Sequence, residues 1–375
     1  MQPLNHRINR INHRINHRIN GRINRRINHR MPTMLDPEAR ALIQLMAERQ
    51  VPPTHTLTPA DARQAYLERR FYSQPEPPTV GDVRSLQTAG GVPLRLYRPH
   101  AADGPYRPQA ADGLSRPHPV DGAPANAVLP ALVFFHGGGW TMGDLDTHDV
   151  LCRQLCIGAG VVVVAVDYRM GPEHRFPAAV DDSIEATRWV RAQAAALSID
   201  STRVAVGGDS AGGNLAAVVA LALRDAGDAP LAFQLLIYPG TDMRAVAPSH
   251  QRNGQGYVLT ADTMNYFRDH YMGSGPQAQA AWSDWRASPL LAASHAGLAP
   301  ALVLTAGYDP LVDEGRQYAD ALSAAGTPCQ YVCFERQIHG FVPMSRILGE
   351  ARTAVALCCT ALREALFTPA PAAAA

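Results

Sequence analysis

The chain has 375 residues, of which 46% are hydrophobic and 18% charged, a composition that builds a packed core and excludes a wholly disordered protein. Its formal charge of +1 conceals an asymmetry, because residues 1–30 hold eight Arg and no acid, leaving 26 Arg against 33 acidic side chains in the remainder. A body carrying about seven net negative charges argues against a nucleic-acid binder, and with no Lys anywhere the Arg content reads as coding bias rather than phosphate recognition.

The opening "NHRINHRINGRINRRINHR" repeats every four residues with one Ile per unit. On a helix that stripe drifts around the axis and buries almost nothing, so residues 1–30 form no core. Two accounts remain: a disordered basic arm, or repetitive sequence read through from upstream with the true start at Met31 or Met34, and the second is preferred. The isolated Ile residues do not make the apolar stretch of a secretory signal. The run "VVVVAV" at 161–166 is also far shorter than the roughly 20 residues of a membrane helix. No membrane span and a cytoplasmic location are therefore expected.

From Leu35 the texture changes. "LDPEARALIQLMAERQ" has Asp36 placed to cap, Pro37 at the first helical position and apolar Leu42, Leu45 and Met46, which predicts an amphipathic helix. A second helix, "TPADARQAYLERRFY", follows the break at Pro52 and Pro53. Residues 31–78 are expected to form N-terminal cap helices, a lid element. "VGDVRSLQTAGGVPLRLYRP" then reads as a hairpin turning at Gly90 and Gly91. Three nonapeptide units, "YRPHAADGP", "YRPQAADGL" and "SRPHPVDGA", come next, and their Pro, Gly and Asp predict a mobile, solvated loop over 97–125.

Beyond that loop, strands and helices alternate. "ALVFFHG", "VVVVAVDY", "RVAVGGD", "FQLLIYP" and "ALVLTAG" are short apolar runs of the kind buried on both faces of a parallel sheet, separated by helical stretches such as "LAAVVALALRD". This is the βαβ texture of a doubly wound α/β sheet. The main domain is expected over 79–366, with a cap insertion at about 242–290 that packs with the first two helices, and a disordered tail at 367–375. The six Cys, at 152, 156, 329, 333, 358 and 359, show no zinc-site spacing and are expected to be reduced and mostly buried.

Three patterns could carry chemistry. "VGGDSAGGN" sets Gly208, Ser210 and Gly212 in a G-x-S-x-G array between a predicted strand and a predicted helix, where the Ser occupies a strained turn and the helix N-terminus favours negative charge. "FFHGGGW" follows another strand, and its consecutive glycines let backbone N–H groups turn into a cavity to hold an oxyanion. A phosphate cradle is disfavoured: no G-x-G-x-x-G follows the first strand, and there is no Lys for a Walker loop. A Ser needs a base, and the hydrolase order of Ser, acid and His is met by Asp309 in "LTAGYDPLVDEG" and His339 in "FERQIHGF". Loops at the carboxyl ends of parallel strands converge, so these distant residues can meet. Asp313 is the rival acid, with a simpler place in the first turn of the next helix.

Together "HGGGW", "DYRMGPEHRFPAAVDD", "GDSAGGNLAA", "DPLVDEG" and "HGF" resemble the hormone-sensitive-lipase-like esterases, the bacterial family IV of α/β-hydrolases, over roughly residues 35–366. The resemblance implies an α/β-hydrolase fold: an eight-stranded, mostly parallel sheet with helices on both faces and a helical cap. It also implies hydrolysis of short to medium chain acyl esters without metal or cofactor. Carried over by residue, Ser210 is the nucleophile, His339 the general base and acid, and Asp309 the carboxylate that orients the imidazole. Gly138, Gly139 and the N–H of Ala211 form the oxyanion hole, with Gly137 shaping the loop. His136, Asp209, Glu173 and His174 are supporting residues, the last two in a loop shared with Tyr168 and Arg169. Two departures stand out: Met170 and Gly171 replace the usual Leu and Ala, and Arg336 stands where a Gly often precedes the His by three.

The partner expected is a small-molecule ester acted on by a monomer or homodimer, with Tyr257, Met264, Tyr266, Phe267 and Trp282 of the cap limiting acyl length. An amidase or deacetylase on the same triad is the nearest alternative, separable with matched ester and anilide substrates. A non-catalytic small-molecule receptor on the same scaffold is a more distant one, since the receptors among such relatives have lost the His that is present here.

Overall fold

The computed structural model describes residues 35–100 and 127–367. The opening repeat, residues 101–126 of the nonapeptide loop and the tail from 368 lie outside the described residues, as do the expectations made for them. Contacts divide the chain at Leu35, and the sheet and its helices all belong to the unit beginning at Asp36.

Eight strands form one sheet in the order β1-β2-β4-β3-β5-β6-β7-β8. β1 (Asp82–Gln87) and β2 (Pro93–Arg98) are the expected hairpin, with Gln87 opposite Pro93. β2 pairs antiparallel with β4 (Val162–Val166), and every later pairing is parallel: β4 with β3 (Leu129–Phe135), then β5 (Ile199–Asp209), β6 (Gln234–Ile237), β7 (Ala301–Tyr308) and β8 (Cys329–Ile338). All residues of β3, β4 and β6 are buried, which explains why these strands read as continuous apolar runs rather than alternating ones.

Ten helices accompany the sheet among the described residues: α1 (Pro37–Glu48), α2 (Pro59–Ser73), α3 (Asp149–Ala159), α4 (Ala178–Ala192), α5 (Ala211–Asp225), α6 (Pro248–Arg252), α7 (Ala261–Met272), α8 (Pro276–Ala281), α9 (Val312–Ala324) and α10 (Gly349–Phe367). α3 packs against α10 and α4 against α5. Along β3, Ala131, Val133 and Phe135 join the core cluster with α4 and α5, whereas the intervening Leu132 and Phe134 do not, as strand alternation requires. The two helix pairs thus cover opposite faces.

Both cap helices start as the sequence indicates, with Asp36 accepting the Glu38 N–H at 2.9 Å and Thr58 accepting that of Asp61 at 3.2 Å. Their destinations differ from the expectation. α2 and α7 share an apolar cluster through Ala62, Leu259 and Phe267, so the insertion does pack with the second helix. α1 instead clasps the C-terminal end of β8 and the start of α10: the Asp36 N–H reaches the Arg336 carbonyl at 2.9 Å, and Glu38 accepts the Gly349 N–H at 2.6 Å.

A second correction concerns the start of the nonapeptide loop. Tyr97 and Arg98 are not loop residues but the buried end of β2. The Tyr97 hydroxyl donates to Asp149 at 2.9 Å and the Arg98 guanidinium to the carbonyls of Leu197 at 2.5 Å and Ala127 at 3.1 Å, so the repeat borrows its first two residues from the sheet. α10 also runs through Phe367, one residue past the expected boundary. All six Cys are free, four of them buried. No helix among the described residues is long and apolar enough to cross a membrane.

Candidate active site

Ser210 links β5 to α5 with φ 56° and ψ −116°, a conformation that costs a non-glycine residue on the order of 1–3 kcal/mol. Hydrogen bonds hold it there: its N–H donates to the Ile237 carbonyl at 2.8 Å and its carbonyl accepts the Asn214 N–H at 3.0 Å. The flanking glycines are required by a close approach. A Cβ at either Gly208 or Gly212 would overlap the Phe135 carbonyl, because the end of β3 passes directly beside the elbow.

Two further strand ends converge on this serine. β7 delivers Asp309, which is fully buried and whose Oδ1 accepts the Leu311 N–H at 2.8 Å. β8 delivers His339, whose Nδ1 lies 2.6 Å from Asp309 Oδ2 and whose Nε2 lies 2.9 Å from Ser210 Oγ. Asn253, from the insertion, donates to the Asp309 carbonyl at 3.0 Å and braces that loop. The rival Asp313 sits in the first turn of α9, paired with Arg252 at 2.9 Å, and does not reach the imidazole. Arg336 is exposed and its carbonyl serves α1, so its presence before the histidine leaves His339 in reach of both partners.

The glycine loop arches over the elbow. Gly138 and Gly139 have φ of 121° and 59°, and a side chain at either would strike the Met142 carbonyl or the Phe267 ring. The N–H groups of Gly138, Gly139 and Ala211 have no acceptor among the described residues. Gly137 is spent differently: its N–H donates to Asp209 Oδ1 at 2.8 Å. Asp209 is buried, and burial works to raise its carboxyl, but His148, the Gly137 N–H and His136 outweigh it and hold the group below the ordinary carboxylate range. His148 Nε2 lies 3.1 Å from Asp209 Oδ1. This histidine was missed by sequence reasoning; "GDLDTHD" carries no motif, and the contact depends on the turn before α3 meeting the end of β5.

His136 is buried beneath the loop, its Nδ1 donating to the Gly137 carbonyl at 2.9 Å and its ring stacked on Tyr168 at 4.4 Å. Burial, reinforced by His148, pushes its pKa down to about 4. In the unfolded chain the imidazole takes a proton near about 6.5. The folded state therefore binds fewer protons between those values, and stability present above pH ~6.5 is lost as pH falls through ~4. Denaturant midpoints should drop between about pH 7 and pH 5, and His136→Gln should flatten that slope. An unchanged slope would remove His136 as its source.

Of the expected supporting loop, Glu173 and His174 part company. Glu173 takes Arg63 of α2 in a two-pronged ion pair at 2.9 and 2.6 Å, which holds its carboxyl down at about 2. Arg63 also donates to the carbonyls of Thr141 and Gly171, both at 2.8 Å, and so ties the cap to the glycine loop. Gly171 suits this crowding, since a Cβ there would press on the His270 carbonyl of α7. His174, in contrast, has an exposed side chain and joins the loop through its backbone, its N–H donating to the Met170 carbonyl at 2.9 Å.

Above Ser210 and His339 opens a pocket of about 1020 Å3, solvent mouth included. Tyr66 of α2 and Met264 and Phe267 of α7 line it, whereas no residue of α1 does. Tyr257, Tyr266 and Trp282, expected to limit acyl length, are not among the lining residues; Trp282 lies behind Arg268, whose guanidinium sits 4.1 Å from its ring. Sequence reasoning also missed Glu314, buried at the pocket wall. It accepts the N–H groups of Thr241 at 2.6 Å and Asp242 at 3.2 Å and pairs with His250 at 2.5 Å; burial, opposed by these partners, pushes its carboxyl up.

Known proteins share this architecture. The profile of a family described as alpha/beta hydrolase fold matches residues 132–343. The chain is 39% identical to an ethyl acetate hydrolase of Pseudomonas putida over 88% of its own length and 99% of the relative's. It is 40% identical to the carboxylic ester hydrolase LipN of Mycobacterium tuberculosis, over 81% of this chain and 76% of that one. Among solved structures, an ester hydrolase from the metagenome of Lake Arreo superposes with a TM-score of 0.79 at 39% identity, covering 89% of this chain and all of the other. The hyperthermophilic esterase of Pyrobaculum calidifontis superposes at 0.74 and 36%, covering 88% of this chain and 98% of that one.

Proposed function

This chain belongs to the α/β-hydrolase family, among its hormone-sensitive-lipase-like esterases, and from that premise we propose that it is a serine carboxylesterase working through Ser210, His339 and Asp309. The observation that carries the assignment is the continuous line of hydrogen bonds, 2.6 Å from Asp309 to His339 and 2.9 Å from His339 to Ser210, at the floor of the pocket.

Ser210 Oγ attacks the ester carbonyl carbon while its proton passes to His339 Nε2. Asp309 accepts the Nδ1–H throughout and stabilises the imidazolium that forms. The carbonyl oxygen, now negative, takes the N–H groups of Gly138, Gly139 and Ala211, with the N-terminus of α5 behind the last of these. Collapse of the tetrahedral intermediate breaks the bond to the alcohol, which departs with the proton from His339, while the acyl group stays on Ser210 Oγ. Water then gives a proton to His339 and attacks the acyl carbon, and as the Oγ–acyl bond breaks His339 passes that proton to Ser210 Oγ, which releases the acid and restores the site. Phe267 and Met264 line the pocket with apolar bulk, which supports short to medium acyl chains.

The test is a p-nitrophenyl ester series from acetate to palmitate with a matched butyryl anilide. Turnover should peak at short or medium chains and greatly exceed that of the anilide; preferential anilide cleavage would turn the assignment to an amidase.

A further inference from the structure

The pocket wall is electrostatically lopsided. Three carboxylates line it, and each is already satisfied: Asp209 by the Gly137 N–H and His148, Asp242 by a two-pronged pair with Arg244, and Glu314 by two backbone N–H groups and His250. Two guanidinium groups line it as well, and neither has a carboxylate partner among the described residues. Arg69 of α2 lies over the Tyr66 ring at 4.4 Å. Arg268 of α7 lies over Trp282 and donates to neutral acceptors, the Asn265 amide oxygen at 2.5 Å and the Met243 carbonyl at 3.4 Å, while its buried Nε has no acceptor.

Of the arginines from α2 and the insertion that do not line the pocket, Arg63, Arg244, Arg252 and Arg286 each hold a carboxylate, whereas Arg70, lying over the Phe71 ring with its buried Nε lacking an acceptor, donates to the Asp146 carbonyl. A buried donor without an acceptor is costly, and a guanidinium carries five N–H donors, so Arg268, which gives one each to Asn265 and Met243, keeps others that a carboxylate can take. A closed set of acids beside open cations favours an anion in the bound substrate.

We propose that the pocket takes esters carrying a carboxylate elsewhere in the molecule, on the acyl or the alcohol part, and that Arg69 and Arg268 recognise it. This rests on the esterase assignment and adds a substrate class to it. The experiment compares three esters with the full chain: p-nitrophenyl butyrate as the neutral reference, the p-nitrophenyl half-ester of glutaric acid with the charge on the acyl side, and 4-butyryloxybenzoate with it on the alcohol side. The readout is the ratio of kcat/KM for each charged ester to that for butyrate, so any general loss in a variant cancels. In Arg69→Gln or Arg268→Gln this ratio should fall about tenfold for one charged ester, the scale of a charge-assisted hydrogen bond, and the corresponding Lys variant should recover part of it. Which ester responds tells which side of the substrate bears the charge. Ratios unchanged in both Gln variants would overturn the inference while leaving the esterase assignment intact. Absence of butyrate turnover by the native chain would overturn the assignment itself.

Discussion

Ser210→Ala should lower turnover of a p-nitrophenyl ester by about 10⁶, by analogy with the nucleophile of other serine hydrolases, and leave thermal unfolding nearly unchanged. The elbow does not depend on the hydroxyl. Its positive φ is held by the backbone bonds to Ile237 and Asn214 and by the packing of Gly208 and Gly212 on Phe135, all of which survive the substitution. The loss would therefore be chemical: with no Oγ there is nothing for His339 to deprotonate, and only the loop N–H groups and the pocket remain to assist water. More than a few per cent of native activity, in a preparation free of native enzyme, would take the nucleophile elsewhere.

Asp309→Asn should cost on the order of 10⁴, the scale that an Asp-to-Asn change produces in a Ser-His-Asp triad, and the reason lies in how its two oxygens are used. One carboxylate oxygen accepts the Leu311 N–H and the other faces His339 Nδ1. An amide at that position keeps the Leu311 bond only by turning its oxygen there, which presents NH2 to Nδ1. The imidazole must then accept at Nδ1 and carry its proton on Nε2, where it can no longer receive one from Ser210. Asp313→Asn is the control: that carboxylate pairs with Arg252 at 2.9 Å, away from the imidazole, and its loss should change activity less than twofold, about the effect of a surface ion pair. Equal losses at both positions would mean that the acid is misassigned.

The parts of this site that can be read from the chain are those set by contiguous residues. G-x-S-x-G announces a strand-to-helix elbow because the clash at Gly212 is with a backbone carbonyl that every such elbow brings near. The triple glycine announces a loop with N–H groups to offer, and the chain order of Ser210, Asp309 and His339 suffices because parallel strands deliver their ends to one place. The supporting groups are less legible, for they are made by folding. His148 reaches Asp209 only because the turn before α3 meets the end of β5, and Glu314 meets His250 only because the insertion closes over α9. Arg63 binds Glu173, 110 positions along the chain, and nothing in "DARQAY" marks it. Beside Glu173, His174 keeps its side chain exposed to solvent and meets the loop through its backbone N–H. Tyr97 and Arg98 escape the sequence reading for a related reason, since a repeat in sequence need not be a unit in space, and the sheet claims the first two residues of this one.

The most direct measurement is covalent trapping of the nucleophile with diethyl p-nitrophenyl phosphate, read by intact mass and peptide mapping. The expected result is loss of activity in step with one diethylphosphoryl group per chain, carried on the peptide that contains Ser210, and no adduct in Ser210→Ala. Inactivation with the label on any other residue, or full incorporation into Ser210→Ala, would contradict the assignment of Ser210 as the residue that carries the acyl group.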